Sequence, residues 1–305
     1  MITDSFGRLL NNLRLSVTQR CNLNCFYCHR EGEESSVGLE MTSDEIERVV
    51  RVAVKLGFVN LKLTGGEPLL RADIVEIVCK LSSLPLLREV AMTTNGILLR
   101  QFAGPLKHAG LSRVNISLGT LNPTIYEMIT GVDAVKQVLS GLQEAVRVGL
   151  YPIKVNMVLL KGLNDDQILS MIEFTRKNDL ILQLIEFESP GKPDKVYEKY
   201  HFCLGEVEEE LMKMAVRTNV RAMQNRLKYF LLGGGEVEVV KPMHNTSFCG
   251  NCTRLRVTSD GKFKPCLFRR DNLVDFLSPM RNGASDEEIK QLLLEAVKRR
   301  EPYFK

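Results

Sequence analysis

Between Leu13 and Phe187 short apolar runs alternate with stretches of helical period, and a chain built this way has little choice but a parallel sheet walled by helices. Six runs are predicted as strands: Leu13–Val17, Val59–Leu63, Arg88–Met92, Arg113–Ser117, Ile153–Val158 and Ile181–Phe187, most of them apolar enough for burial on both faces. Between the first two, Thr42 and Glu45 have the spacing of a capping box ahead of Ile46, Val49, Val50, Ala53 and Val54, which fall on one helix face. Val135, Val138, Leu139, Leu142 and Val146 repeat that stripe later, so both helices are expected to pack on the outside of the sheet. A barrel with an appended piece fits the 305 residues.

The alternation stops after Glu188. Ser189-Pro190-Gly191-Lys192-Pro193 reads as a turn-rich link that divides the chain into residues 1–188 and 189–305. The second part is predicted to hold a helix near Gly205–Val216 and strands near Leu227–Leu232 and Glu236–Val240. Its last helix is capped by Ser285 and Glu288, with Ile289, Leu292, Leu293, Ala296 and Val297 on one face. A hydrophobic share of 44% against 26% charged residues is the balance of a soluble globular chain. The net charge of +4 is too small for bulk nucleic-acid binding but leaves room for a local anion site. No run approaches the ~20 apolar residues of a membrane helix and the start lacks an apolar signal region, so a cytoplasmic chain with no membrane partner is expected.

Eight cysteines are too sparse for a disulfide scaffold; six fall into two tight groups, while Cys79 and Cys203 stand alone. Grouped thiols point to metal or redox work. The first group, CNLNCFYC, sets Cys21, Cys25 and Cys28 in a C-x3-C-x2-C spacing directly after the first predicted strand. Three thiolates can hold three irons of a four-iron cluster that normally takes four cysteines, which leaves one iron open. The amino and carboxylate groups of S-adenosylmethionine could chelate that iron, and radical chemistry would be the cofactor's contribution. A zinc knuckle completed by His29 is disfavoured, because His29 abuts Cys28 and neighbouring residues rarely both reach one tetrahedral ion.

The second group, CGNCTRLRVTSDGKFKPC, places Cys249, Cys252 and Cys266 as C-x2-C-x13-C. Spacing alone leaves two readings open, a structural zinc with His244 as fourth ligand or a second cluster. Within the same stretch Arg254 and Arg256 are one residue apart, so on a strand both would point to one face. Two guanidiniums aimed at one spot suit phosphate oxygens. Upstream, the second predicted strand runs into Thr64-Gly65-Gly66-Glu67-Pro68, whose glycines would let a ligand approach the backbone.

The C-x3-C-x2-C motif with Tyr27 before its third cysteine resembles the radical S-adenosylmethionine superfamily. The resemblance implies an α/β fold, a partial (βα)6 TIM-like barrel with a C-terminal iron–sulfur cluster domain. It also implies a [4Fe-4S] cluster, cleavage of S-adenosylmethionine to a 5′-deoxyadenosyl radical, and cofactor contacts from the residues matching Tyr27, Gly66 and Ser117. With CTRLRVTSDG and the second cysteine group added, Leu13 to Phe268 resembles the GTP 3′,8-cyclases of molybdenum cofactor biosynthesis. That implies a second [4Fe-4S] cluster on Cys249, Cys252 and Cys266, and GTP as substrate, contacted by Arg14, Lys62, Thr93, Lys154, Arg254 and Arg256. It implies as partners an external electron donor and a downstream enzyme forming the cyclic pyranopterin; a homodimer is compatible. The chain departs from the family pattern at Gln183, where many relatives have a sixth-strand arginine, at Gly119 for an aspartate, and in ending Arg300-Glu301-Pro302-Tyr303-Phe304-Lys305 rather than Gly-Gly. The rival reading is a radical enzyme acting on a peptide or another nucleotide.

Overall fold

The computed structural model describes residues 2–33, 40–189 and 195–304. The predicted link falls mostly on 190–194, outside the described residues.

Six parallel strands follow one another in chain order: β1 (Asn12–Ser16), β2 (Asn60–Thr64), β3 (Glu89–Thr94), β4 (Arg113–Ser117), β5 (Lys154–Leu159) and β6 (Ile181–Glu186). Helices α1 (Ser43–Lys55), α2 (Ile74–Ser82), α3 (Leu99–His108), α4 (Val135–Arg147) and α5 (Ile168–Lys177) lie between them. These six strands and five connecting helices belong to a partial barrel. The Thr42–Glu45 capping box forms, and the predicted stripe of α1 is buried. Each Ile or Val of that stripe stabilises the fold by about 1.5–3 kcal/mol on transfer from water.

The strands are not apolar on both faces, as the sequence suggested. Leu13, Leu15, Leu61, Leu63, Val155, Met157, Leu182 and Leu184 are fully buried, while the alternate positions are Arg14, Lys62, Lys154, Asn156 and Gln183. Since strand side chains alternate between faces, one face of the sheet is apolar and the other is a polar wall. Cross-strand register aligns that wall: Arg14 lies opposite Lys62, Asn115 opposite Lys154, and Asn156 opposite Gln183.

The C-terminal part adds helices α6 (Gly205–Met214) and α7 (Asp286–Lys298) and strands β7 (Ala215–Arg221), β8 (Arg226–Leu231), β9 (Glu236–Val240), β10 (Arg254–Val257), β11 (Lys262–Lys264) and β12 (Val274–Asp275). It extends the barrel sheet at both edges. β9 pairs in parallel with β6 and continues into the antiparallel β8 and β7, whereas β10 pairs in parallel with β1 and continues into β11 and β12. Among the described residues this gives one twelve-stranded sheet. The helix expected over Gly205–Val216 ends at Met214, and β7 follows at once. β7 is polar and mostly exposed, so no burial pattern announced it; backbone pairing with β8 holds it. The capping box of Ser285 and Glu288 starts α7 as expected. Cys79, which stands apart from both cysteine groups, lies on α2 and is exposed.

Candidate active site

The polar wall and the loops at the C-terminal strand ends enclose a cavity of about 300 Å³. Barrel enzymes collect their reactive groups at this end. Cys21, Cys25 and Cys28 line it, as do Tyr27, Gly66 and Ser117 and also Arg14, Lys62, Thr93, Lys154, Arg254 and Arg256. The loop with the first cysteines follows β1 because Val17 N–H still donates to Thr64 O (2.9 Å), after which the chain leaves the sheet.

Glu67 fixes the loops around those cysteines. Its fully buried carboxylate accepts from Thr94 Oγ1 (2.7 Å), Asn95 N–H (2.6 Å) and Leu69 N–H (3.0 Å), tying the TGGEP turn to the TTNG loop. Asn95 in turn donates to Asn22 Oδ1 at 2.7 Å, inside the first cysteine motif. Glycine at position 66 also has a packing reason. A Cβ there would meet the carbonyl oxygens of Arg20 and Gln19, the latter at 2.6 Å, and Gly66 N–H donates to Thr18 O at 2.7 Å. The turn packs backbone to backbone against the strand-to-cysteine loop. Gly66→Ala is therefore expected to displace Arg20 and the adjoining Cys21, lowering iron bound at the first group by half or more while far-ultraviolet circular dichroism stays unchanged; full iron retention would refute this packing role.

The three thiols sense one another. Burial, then Cys28 and Cys21 close by, push the Cys25 thiol up to about 12. Adjacent thiolates of like charge stay ionised only when a cation shares them, and iron supplies that charge. Among the described residues no three His, Cys, Asp or Glu side chains close on a single-ion point; the thiols instead border a gap. Three sulfur donors opening onto a cavity fit a cluster with one unligated iron. Tyr27, Gly66 and Ser117, the residues expected to contact S-adenosylmethionine, line the same cavity as these thiols.

The second group stands beside the cavity near β10, with Cys249 buried in the short helix Thr246–Gly250 and Cys266 following β11. Burial would raise the Cys252 thiol, but Arg300, Arg254 and Arg256 outweigh it and bring it below its ordinary value. Arg300 is 2% exposed; it pairs with Asp4 and donates to Arg254 O (2.9 Å) and Cys252 O (2.6 Å). Arg8, also paired with Asp4, donates to Cys249 O at 2.9 Å. His244, the fourth zinc ligand in one sequence reading, has its ring 5.0 Å from that of Phe304.

Three carboxylates that the sequence reading did not single out organise the cations. Glu31 accepts from Arg256 at 2.5 Å and lies 3.6 Å from Arg14. Burial alone would raise its carboxyl, but Arg14 and Arg256 bring it to about 2. Its backbone is left-handed (φ 52°), between Arg30 (φ 48°) and Gly32 (φ 67°), a strained run of the kind found at ligand clamps. Glu89 holds Arg113 through two bonds of 2.6 and 3.0 Å. Glu238 binds Lys154 at 2.6 Å. Lys62 reaches Asn115 Oδ1 at 3.1 Å, and burial followed by repulsion from Arg113 holds its ammonium well below the usual lysine range. Arg14 Nε and Thr93 Oγ1 are buried without a protein hydrogen-bond partner.

Comparison with known proteins gives matches over both parts of the chain. Residues 15–175 match the family model described as Radical SAM superfamily, and residues 180–305 match Molybdenum Cofactor Synthesis C. The chain is 54% identical over 310 residues to "Probable GTP 3′,8-cyclase" of Thermococcus kodakarensis, covering 100% of both. It is 48% identical to the protein of the same name from Methanothermobacter thermautotrophicus, covering 99% of each. Among solved structures, Streptococcus suis SuiB bound to S-adenosylmethionine superposes with a TM-score of 0.66 at 17% identity, over 92% of this chain and 68% of that one. Native anSMEcpe with bound AdoMet gives a TM-score of 0.63 at 17% identity, over 91% and 79%. At such identities these two share the fold.

Proposed function

We propose, on the premise that the chain belongs to the GTP 3′,8-cyclase family of radical S-adenosylmethionine enzymes, that its cavity holds GTP with the phosphates on Arg14, Lys62, Lys154, Arg254 and Arg256. The reaction converts GTP to (8S)-3′,8-cyclo-7,8-dihydroguanosine 5′-triphosphate, the first step of molybdenum cofactor biosynthesis. Its cofactors are S-adenosylmethionine and two [4Fe-4S] clusters, which we assign to Cys21, Cys25 and Cys28 and to Cys249, Cys252 and Cys266. The observation that carries the assignment is that one cavity is bordered by the first three thiols and by the cations of the polar wall.

When bound, the first cluster and S-adenosylmethionine supply an adenosyl radical able to take hydrogen from C3′ of the ribose, so that the sugar carbon can join guanine C8. The chain's own residues bind and orient. Planar guanidinium forks on β1 and β10 face the phosphate oxygens bidentately, and the register of Arg14 with Arg256 aims both at one place. Arg14 Nε and Thr93 Oγ1, buried without protein partners, are donors that nucleotide oxygens would satisfy. Tyr27, Gly66 and Ser117, which line the same cavity as the thiols, are assigned to the cofactor. Residues 1–188 would thus carry the radical chemistry and residues 189–305 the second cluster and part of the nucleotide site. The chemistry calls for an external electron donor and for a separate enzyme that consumes the cyclised nucleotide. No described helix is long and apolar enough to cross a membrane; we place the protein in the cytoplasm, where its substrate is found.

Burial, only partly offset by Glu238 and reinforced by Arg221, brings the Lys154 ammonium down to about 8. Below that pH Lys154 is charged and attracts phosphate; above it the attraction is lost. The KM for GTP is therefore expected to rise by up to about tenfold per unit above about pH 8, and Lys154→Arg, which stays charged, is expected to flatten the profile. A wild-type KM that stays constant through about pH 9.5 would contradict this role for Lys154. The function is tested by incubating anaerobically reconstituted protein with reductant, S-adenosylmethionine and GTP, then searching by mass spectrometry for a GTP isomer. Cofactor cleavage that ignores GTP and yields no isomer would remove GTP as the substrate.

A further inference from the structure

Gln183 leaves the inner face of β6 without a cation, yet three cations converge beside it. Glu238 on β9 lies directly across from Gln183, and its carboxylate is fully buried. It accepts hydrogen bonds from Lys154 Nζ (2.6 Å), Gln183 Nε2 and Arg221 Nη1, with Arg226 Nη1 at 3.9 Å. Arg221 and Arg226 are cross-strand partners on β7 and β8. Lys154, Arg221 and Arg226 all line the cavity, whereas Glu238 is not among its lining residues. The carboxylate thus stands behind the wall and the cations face the space. One carboxylate against three cations leaves a surplus of positive charge there. Arg226 is 7% exposed, and its Nε is buried without a hydrogen-bond partner. Burial, with only partial relief from Glu238, brings this guanidinium down to about 10. A buried cationic group with a free N–H, facing a cavity, fits an arriving anion.

We infer that Arg226 and Arg221 bind the phosphates of the nucleotide from the β7–β8 hairpin, taking the place of a cation on β6, and that Glu238 is the positioning residue that aims them. The inference rests on GTP being the substrate.

It is tested by equilibrium dialysis of GTP and of guanosine against anaerobically reconstituted holoenzyme, comparing wild type with Arg226→Gln, Arg221→Gln and Arg226→Lys. Arg226→Gln is expected to weaken GTP binding by about 10- to 100-fold and Arg221→Gln by about 3- to 10-fold, with guanosine binding unchanged within about twofold and the iron content kept. Arg226→Lys, which keeps the charge but not the fork, should fall between wild type and Arg226→Gln. Adding Gln183→Arg to Arg226→Gln should restore at least about a third of the lost affinity on a logarithmic scale, since it returns a cation to the same carboxylate. Wild-type protein that binds no GTP would overturn the substrate reading and this inference with it. GTP binding that Arg226→Gln and Arg221→Gln both retain, or a loss equal for guanosine and GTP, would overturn this inference alone.

Discussion

Cys25→Ala is expected to reduce the iron of the reconstituted protein from about eight to about four per chain and to lower 5′-deoxyadenosine formation on the order of a thousandfold or more. Cys25 sits between its two partner cysteines in the loop after β1 and feels both, so no second arrangement of this loop offers a third thiol. Cys203 and Cys79 are free and exposed; Cys79 lies on α2, outside both groups, so Cys79→Ala should match wild type in both readouts. Iron and cleavage retained in Cys25→Ala would mean that the first group is not the radical site. The four irons expected to remain would report the second group independently of activity.

Arg300→Met is expected to have the largest effect on stability. The guanidinium is buried against Asp4 and bonds two carbonyls, Cys252 O and Arg254 O, on the segment joining the second cysteine group to β10. Removing it leaves both carbonyls without that donor and leaves Asp4 paired with Arg8. Loss of a hydrogen-bonded buried charge costs about 3–5 kcal/mol. For a chain of this length that corresponds to a drop in Tm of roughly 5 °C or more. Iron at the second group should also become removable by chelators under conditions that spare the first. A Tm within a degree of wild type, with both clusters equally resistant, would show that the segment after α7 does not hold the second site.

The barrel was largely legible in the sequence because its signals are local. Short apolar runs between helical stretches placed the six strands to within two residues, and both capping boxes formed where Thr42–Glu45 and Ser285–Glu288 predicted them. What was misread was the inner face. Arg14, Lys62, Lys154 and Gln183 interrupt apolar runs at alternate positions, and that interruption, given little weight in the reading, marks a polar cavity wall. The organising carboxylates left no spacing motif. Glu31 meets Arg256 across 225 positions and Glu238 meets Lys154 across 84, so only the folded register joins them. Glu238 did carry a faint signal as a charged residue inside the apolar run Glu236–Val240. β7 gave none, since an exposed edge strand need not be apolar, and Arg221 was hidden with it. The glycines of TGGEP were found by motif, but their backbone packing on the cysteine loop is a contact that composition cannot reveal.

The most direct test of the account is to supply anaerobically reconstituted protein with GTP carrying deuterium at C3′, together with S-adenosylmethionine and reductant, and to follow the label by mass spectrometry. One deuterium appearing in 5′-deoxyadenosine, alongside a GTP isomer that has lost it, is the predicted result. Unlabelled 5′-deoxyadenosine, with the deuterium still in GTP, would contradict the claim that this cavity brings the ribose of GTP to the cofactor.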